Sequence, residues 1–247
     1  MLGLPSGVHA CLFDLDGVLT DTARVHDAAW KEMFDEYLRR RAENGSGSFV
    51  PFDAIRDYDE FVDGKPRADG VRSFLASRSI ELPEGSRDDP PNAETVHGLG
   101  NRKNQIVLRM ISEDGVEAYV GSVHYLDAAR VAGLRRAVVS ASENCRAVLA
   151  AAGIAQFFEV IVDGQLATSE HLRGKPAPDS YLAGARELDV QPAAAAVFED
   201  ALAGVEAGRA GGFGYVVGVD RVGQHEALVA HGANVVVGDL AELLEAQ

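Results

Sequence analysis

The sequence predicts an α/β protein built on a doubly wound, mostly parallel sheet. Three observations favour this fold class. Short apolar runs alternate with segments of helical periodicity through the second half of the chain. Several of these runs are apolar at consecutive positions, as expected of parallel strands that are buried on both faces. Polar residues follow directly after them, at the place where such sheets bind ligands.

The first predicted strand, residues 10–13, is followed by two acids and a glycine. Asp14 and Asp16 would face the same side if the strand continued to Asp16, because side chains alternate along a strand. Gly17 allows a sharp turn and a close approach of the backbone to a ligand. Two carboxylates packed at a strand end need a cation to stay ionised, and their oxygens suit Mg²⁺. The alternative is a strand end followed by an ordinary turn without any function, because Asp and Gly are common in turns.

The segment 22–112 is predicted to be a helical insert after the first strand. It contains stretches of helical spacing and loop-forming residues but no run that is typical of a strand. We therefore expect two domains, a core of residues 1–21 and 113–247 and a second domain of residues 22–112. Thr22 is a candidate N-cap of the first helix. The expected helices of the insert are 22–41, 68–79 and 101–113, and the expected loops are 44–48 and 85–91.

Beyond residue 112, predicted strands and helices alternate. Gly133 and Gly153 follow the first two helices of this region, where glycine favours helix termination. Alternation of this kind predicts a parallel sheet with helices on both faces. The predicted strands are 136–140, 158–162, 195–198, 214–219 and 234–237, and the predicted helices are 122–132, 143–152, 180–188, 201–210, 225–231 and 240–246.

Candidate site residues follow the predicted strands of this region. Each one alone has a plain structural explanation: a strand end, an exposed loop lysine or a helix cap. Their joint occurrence on alternating elements favours a single site at one edge of the sheet. They are Ser140, Ser142 and Asn144 after one strand, Lys175 in the Gly-Lys-Pro-Ala-Pro-Asp loop after the next, and Glu199 and Asp200 after a third.

These residue types suit phosphoryl transfer, which needs a nucleophile, charge neutralisation and proton transfer. Asp14 is the candidate nucleophile and would form an aspartyl-phosphate. Asp16 is the candidate general acid and base. Ser140 and Lys175 would hold phosphate oxygens. The candidate Mg²⁺ ligands are Asp14, Asp200 and the backbone carbonyl of Asp16, with Glu199 nearby.

The combination resembles the haloacid dehalogenase-like phosphotransferases. The matching pieces are Asp14-Leu-Asp-Gly-Val, Ser140, Lys175 in its loop, and Glu199-Asp200, and they span nearly the whole chain. The resemblance implies a Rossmann-like core, with the helical insert as a mobile cap.

A finer pattern is similar to the β-phosphoglucomutase subfamily. It includes His26, Trp30, Gly64-x-x-Arg67 and Arg102-Lys103-Asn104. The similarity implies that cap residues contact the sugar phosphate or couple cap closure to Asp16, and that a guanidinium grips a second phosphate. The implied substrate-binding residues are Thr22, His26, Arg67 and Lys103 in the cap, and Ser142 and Asn144 in the core.

Two positions depart from the mutase pattern. Glu143 stands where a lysine is common and is expected to point away from the site, and Gly70 stands where a hydroxyl is expected. The loops 44–48 and 85–91 also lengthen the cap. Three functions therefore stay open: a mutase that interconverts β-glucose 1-phosphate and glucose 6-phosphate, a phosphatase of a small phosphorylated metabolite, and a non-enzymatic phospho-acceptor protein. The large insert and an acid/base at Asp16 favour an enzyme.

Composition restricts the partners. The chain has 247 residues and a net charge of −15, which argues against nucleic acid or an anionic membrane. A phosphorylated sugar is still compatible with this negative charge, because a lysine and a metal ion make the electrostatic field positive locally. Two cysteines, no expected signal peptide and no membrane-length apolar run favour a reducing cytoplasm. We expect a monomer or a weak dimer.

Overall fold

The structure, a computed structural model, describes residues 2–45 and 47–245. It divides into two compact units. The first unit consists of Met1–Asp21, Gly64–Pro66 and Val116–Gln247, and the second of Thr22–Asp63 and Arg67–Gly115. The sequence predicts domain boundaries at 21/22 and 112/113, and the grouping of Gly64–Pro66 with the first unit is not part of that prediction.

The first unit contains one six-stranded sheet. Its strands are β1 (Ala10–Phe13), β2 (Arg135–Val139), β3 (Val160–Val162), β4 (Ala195–Glu199), β5 (Tyr215–Val219) and β6 (Val235–Val237). Every strand pairing is parallel, in the order β3-β2-β1-β4-β5-β6. The predicted fold class is confirmed. The strand order reverses between β1 and β4, and ligands usually bind at this position in such sheets.

Ten α-helices lie within the described residues, and α4 to α10 belong to the first unit. They are α1 (Ala23–Glu43), α2 (Arg67–Ser77), α3 (Val96–Asp114), α4 (Val120–Val131), α5 (Cys145–Ala151), α6 (Gly164–Ser169), α7 (Asp179–Glu187), α8 (Leu202–Ala210), α9 (His225–His231) and α10 (Glu242–Glu245). None of the helices in the described part of the chain is both long and apolar enough to cross a membrane.

Both faces of the sheet are buried, which explains the continuous apolar runs. Leu12 of β1 packs in a cluster with Tyr181 of α7 on one face. Phe13 points to the other face, where it stacks on Phe198 with 4.4 Å between ring centroids. The edge of Tyr125 of α4 completes that cluster at 6.2 Å from Phe13. The alternation along β1 therefore places Asp14 at the end of a strand that is fixed from both sides.

The second unit is helical and has its own aromatic core. It contains α1, α2, α3 and a π-helical turn, Tyr58–Val62, and no strand among its described residues. Phe34 of α1 stacks on Trp30 and Phe52, with centroid distances of 5.3 and 5.4 Å, and lies 4.1 Å from Phe74 of α2. Leu99 of α3 belongs to the same buried cluster, so this core holds the three helices together without any contribution from the sheet.

Two of the helices that differ from the prediction begin with a side-chain N-cap. Helix α3 begins before the predicted start at residue 101, because Thr95 Oγ1 accepts a hydrogen bond from Gly98 N at 2.9 Å. Helix α6 was not predicted, and the Asp163 side chain caps it in the same way. Thr22 precedes α1 as expected, but its side chain makes no capping hydrogen bond.

The C-terminal helix begins two residues later than predicted. The sequence predicts it over 240–246, whereas α10 covers Glu242–Glu245. Residue 246 lies outside the described residues.

Candidate active site

The loop after β1 carries Asp14 and Asp16. Strand pairing ends at Phe13, so the condition under which the two acids would align along one strand is not met. Asp14 N donates to the carbonyl of Phe198 on β4 at 2.9 Å, which fixes Asp14 at the sheet edge. Asp16 lies in the turn that follows and is half-buried. Its position depends on that turn rather than on the strand.

Gly17 shapes the turn through its backbone and its missing side chain. Its φ is 82°, a left-handed conformation that favours glycine, and its N–H donates to Thr20 O at 2.9 Å. A Cβ at this position would lie 1.7 Å from Asp200 Oδ2. Glycine is therefore required both for the turn and for the close approach of Asp200.

Three carboxylates meet at the ends of β1 and β4. Asp14, Glu199 and Asp200 each place an oxygen within 4.8 Å of the others, with Asp14 and Glu199 buried and Asp200 half-buried. Burial raises the pKa of Asp14 well above its usual range, and the charges of Glu199 and Asp16 act in the same direction against Lys175. A divalent cation would relieve this repulsion. Because hard oxygen donors suit Mg²⁺, the residues present fit that ion.

Lys175 is buried among these acids. Its Nζ donates to Asp14 Oδ1 at 2.5 Å and also to Glu199 Oε1. Burial alone would lower the pKa of Lys175, but the two carboxylates outweigh it and raise the pKa well above its usual value. Lys175 therefore stays charged and neutralises part of the cluster.

Glu199 is fully buried, and both of its oxygens accept hydrogen bonds. Oε1 accepts from the hydroxyl of Tyr181 at 2.8 Å as well as from Lys175, and Oε2 accepts from Ala201 N at 3.1 Å. A Cβ on Gly204 would overlap the carboxylate, which shows how closely α8 approaches it. Glu199 therefore holds Lys175 in place. This role is separate from any contribution of Glu199 to binding a cation.

Tyr181 is a site residue that the sequence analysis did not single out. It lies on the buried face of α7, and the ring centroid is 5.1 Å from Lys175 Nζ. The sequence contained one indication of this role: a tyrosine on the helix face that otherwise packs against the sheet. A buried tyrosine hydroxyl usually has a hydrogen-bond partner, so such a residue predicts a polar group beside it.

Ser140, Ser142 and Asn144 follow β2 in two consecutive turns. Ser140 Oγ accepts from Ser142 N, and Ser142 Oγ accepts from Asn144 N, both at 3.1 Å. Because β2 pairs with β1 in parallel, these residues lie at the same edge of the sheet as Asp14. The Ser140 hydroxyl uses its oxygen as an acceptor here, which leaves its hydrogen to donate to a ligand. Glu143, between them, is exposed.

The four predicted cap residues belong to the second unit. Lys103 Nζ lies 2.7 Å from His26 Nδ1, so the structure brings these two together. Arg67 begins α2, and its Nη2 donates to Asn101 Oδ1 at 3.4 Å. Thr22 is buried at the start of α1. Their roles toward a substrate stay predictions.

A family model for haloacid dehalogenase-like hydrolases matches residues 8–212. Together with the sheet order and the carboxylate cluster, this match establishes that the chain belongs to the haloacid dehalogenase-like hydrolases, as the motifs predict.

Particular members of the family are similar over nearly the whole chain. The β-phosphoglucomutase of Mycobacterium tuberculosis is 59% identical over 247 residues, which cover 99% of this chain and 94% of the relative. The fructose-1-phosphate phosphatase YqaB of Escherichia coli is 30% identical over 81% of this chain and 91% of its own length. The crystal structure of β-phosphoglucomutase from Clostridium difficile has a TM-score of 0.74 and 26% identity, covering 96% of this chain and 93% of that one.

These similarities confirm the predicted resemblance and make the chain an enzyme of the phosphotransferase or phosphatase type. The third hypothesis, a non-enzymatic phospho-acceptor protein, is not supported.

Proposed function

We propose that this enzyme interconverts β-glucose 1-phosphate and glucose 6-phosphate through an aspartyl-phosphate on Asp14, with Mg²⁺ as cofactor. The observation that carries the proposal is the buried Lys175, which hydrogen-bonds to Asp14 and Glu199 at the ends of adjacent strands. The name of the 59% identical relative supports the choice of substrate.

The core residues share the tasks of the proposed reaction. The carboxylate of Asp14 attacks one phosphorus of the sugar bisphosphate and the bond from that phosphorus to the sugar oxygen breaks, so a sugar monophosphate leaves; phospho-Asp14 then transfers the group to the free hydroxyl of a sugar monophosphate. Asp16 gives a proton to that oxygen and later removes one from the hydroxyl that takes the phosphoryl group back. Lys175 and Ser140 donate to phosphate oxygens. Bound Mg²⁺, held by Asp14, Asp200 and the Asp16 carbonyl with Glu199 nearby, would neutralise phosphate charge.

A mutase also needs a second anion site, because the sugar carries two phosphates midway through the reaction. Arg67 is the candidate for this site, since a guanidinium holds a phosphate with two parallel hydrogen bonds. Thr22, His26 and Lys103 are proposed to contact the sugar phosphate from the same unit. Ser142 and Asn144 are proposed to do so from the loop after β2. The cytoplasmic location and the monomeric or weakly dimeric state also stay proposals.

The test is a coupled assay that measures glucose 6-phosphate and inorganic phosphate from β-glucose 1-phosphate. Catalytic β-glucose 1,6-bisphosphate should accelerate the wild-type enzyme by priming Asp14, with little phosphate released. If phosphate accumulates one for one with substrate loss and the bisphosphate has no effect, the enzyme is a phosphatase, the activity named for the Escherichia coli relative.

Arg67→Ala separates the two activities further. Mutase turnover should fall about 10- to 1000-fold, the scale of a lost charged anchor of roughly 1.5–4 kcal/mol. Hydrolysis of a small aryl phosphate, which has no distal phosphate, should fall far less. Arg109→Ala is the matched control, because Arg109 is an exposed arginine of the same unit that pairs with Glu32 at 2.8 Å. Equal losses of both activities in Arg67→Ala would contradict the assignment of a distal phosphate site.

A further inference from the structure

Arg221, in the loop after β5, contacts the loop after β1, and no sequence motif indicates this contact. Its Nε donates to the carbonyl of Gly17 at 3.0 Å. Its Nη1 donates to Gly238 O at 2.8 Å and to Asp239 Oδ2 at 2.9 Å. A single guanidinium therefore ties the turn that follows Asp16 to the loop after β6.

An aromatic ring fixes the plane of this guanidinium. Arg221 Cζ lies 3.8 Å from the ring centroid of Tyr119, a close cation–π contact. The Tyr119 hydroxyl donates to Asp21 Oδ1 at 2.8 Å, and its backbone N–H donates to Leu19 O at 2.9 Å. Tyr119 is thus attached to the far end of the same loop. Only 18% of the Arg221 side chain is exposed.

These contacts restrict the most adaptable residue of the loop. Glycine samples a wider range of backbone conformations than any other residue. Gly17 has the Asp200 carboxylate against its Cα and the Arg221 guanidinium on its carbonyl oxygen. The first contact limits Gly17 at its Cα, and the second holds the peptide between Gly17 and Val18 at its carbonyl oxygen, so the backbone directly after Asp16 is restricted. A shift of 1 Å in a reacting group costs a factor of about 100 in rate, so this restriction matters for Asp16.

We propose that Arg221 is a positioning residue for Asp16: it fixes the Gly17 backbone and thereby directs the Asp16 carboxyl at the leaving oxygen. The inference rests on the proposed function in one respect, the acid/base role of Asp16. Lysine cannot replace arginine here, because three acceptors and a ring face surround one planar group. Arg221 itself touches neither substrate nor metal in this proposal.

The test uses two aryl phosphates that differ in their leaving groups. Phenyl phosphate needs a proton on its departing oxygen, whereas p-nitrophenyl phosphate needs much less help. Arg221→Lys should lower kcat/KM for phenyl phosphate by about 10- to 100-fold. The loss with p-nitrophenyl phosphate should be far smaller. Equal losses with both substrates would overturn the proposal, since Arg221 would then act on the whole site or on folding.

A double-mutant cycle separates positioning from a merely structural role. Asp16→Asn should show the same dependence on the leaving group, and Arg221→Lys should add almost nothing in that background. Additive losses would overturn the proposal for Arg221. If Asp16→Asn shows no dependence on the leaving group, the acid/base role of Asp16 fails, and the proposed function fails at that step.

The control is Arg135→Lys. Arg135 also bonds to a carboxylate and to a backbone carbonyl, Glu159 Oε2 at 2.5 Å and Leu188 O at 2.6 Å, but at the opposite end of the sheet. Any loss of activity in this variant should be the same for both aryl phosphates.

A second pair of variants covers the case in which Arg221→Lys does not fold. Tyr119→Leu keeps Arg221 but removes the ring beneath it. It should lower kcat/KM for phenyl phosphate more than for p-nitrophenyl phosphate, with a smaller difference than in Arg221→Lys. Tyr119→Phe retains the ring face and should largely restore wild-type behaviour. Loss of activity in Tyr119→Phe as large as in Tyr119→Leu would count against the proposal.

Discussion

Replacing Gly17 with alanine should damage the site more than the fold. A Cβ at Gly17 lies 1.7 Å from Asp200 Oδ2, whereas ordinary contact begins at 3.4 Å, so one of the two groups must move by about 1.7 Å. The backbone at Gly17 is also left-handed, with a φ of 82°. The substitution therefore has two separate costs, one to stability and one to the geometry of the carboxylates.

The two costs have different magnitudes and different readouts. The left-handed conformation costs a residue with a side chain about 1–2 kcal/mol, which lowers the free energy of unfolding. Displacement of Asp200 acts on activity, where a misplacement of 1 Å costs about 100-fold. We expect kcat/KM to fall at least about 100-fold, and the Mg²⁺ concentration for half-maximal activity to rise, because Asp200 is a predicted ligand.

Gly133→Ala is the matched control. Gly133 has a φ of 75°, and no atom of the described residues other than its chain neighbours lies within 4 Å of a Cβ built there. It should lose similar stability in urea unfolding but keep its kcat/KM and its Mg²⁺ requirement. If both alanine variants lose activity equally, or if Gly17→Ala stays fully active, the reasoning about Asp200 is refuted.

Three further predictions follow from the same contacts. Asp14→Asn should lower turnover by about 10⁴-fold or more with little change in stability, as measured by steady-state assay and urea unfolding, because the amide keeps the volume but is no nucleophile. Exhaustive chelation should abolish activity, and added Mg²⁺ should restore it. At 100 times its Kd, Mg²⁺ should also raise the free energy of unfolding by about 2.7 kcal/mol, which a higher melting temperature would report. Tyr181→Phe should lose about 1.5–3 kcal/mol in urea unfolding, because its hydroxyl bonds to a charged acceptor, Glu199. Tyr125→Phe, whose hydroxyl bonds to the neutral carbonyl of Leu2 at 2.8 Å, should lose about 0.5–1.5 kcal/mol, and equal losses would contradict the charged-acceptor argument.

The sheet and the approach of its acids could be predicted from local sequence. A parallel strand buried on both faces has no polar alternation, so apolar runs such as β1 and β4 stand out. The acids that follow them must lie at one edge because all strands are parallel. The order of the strands could not be predicted, since hydrophobic periodicity contains no information on which strands become neighbours.

The remaining site residues depend on contacts between distant parts of the chain. Arg221 and Gly17 are 204 residues apart, and nothing near either one indicates the pairing. Whether the first strand continues to Asp16 could not be predicted, because strand propensity does not show where pairing ends. Helix α6, with six residues, is too short to display a helical period. The early start of α3 had a readable signal in Thr95, a good N-cap residue that precedes an apolar position.

Glu199 and Asp200 are neighbours in sequence, but their surroundings predict different tasks. Glu199 is fully buried and accepts hydrogen bonds from Lys175, Tyr181 and Ala201, whereas Asp200 lies half-buried just beyond the strand. Asp200→Asn should therefore raise the Mg²⁺ requirement, and excess Mg²⁺ should recover part of the activity. Glu199→Gln removes one of the two carboxylates that hold Lys175, so its loss of kcat should persist at every Mg²⁺ concentration. A titration of activity against Mg²⁺ distinguishes the two, and recovery of Glu199→Gln by excess Mg²⁺ would mean that Glu199 acts as a ligand and not as the support of Lys175.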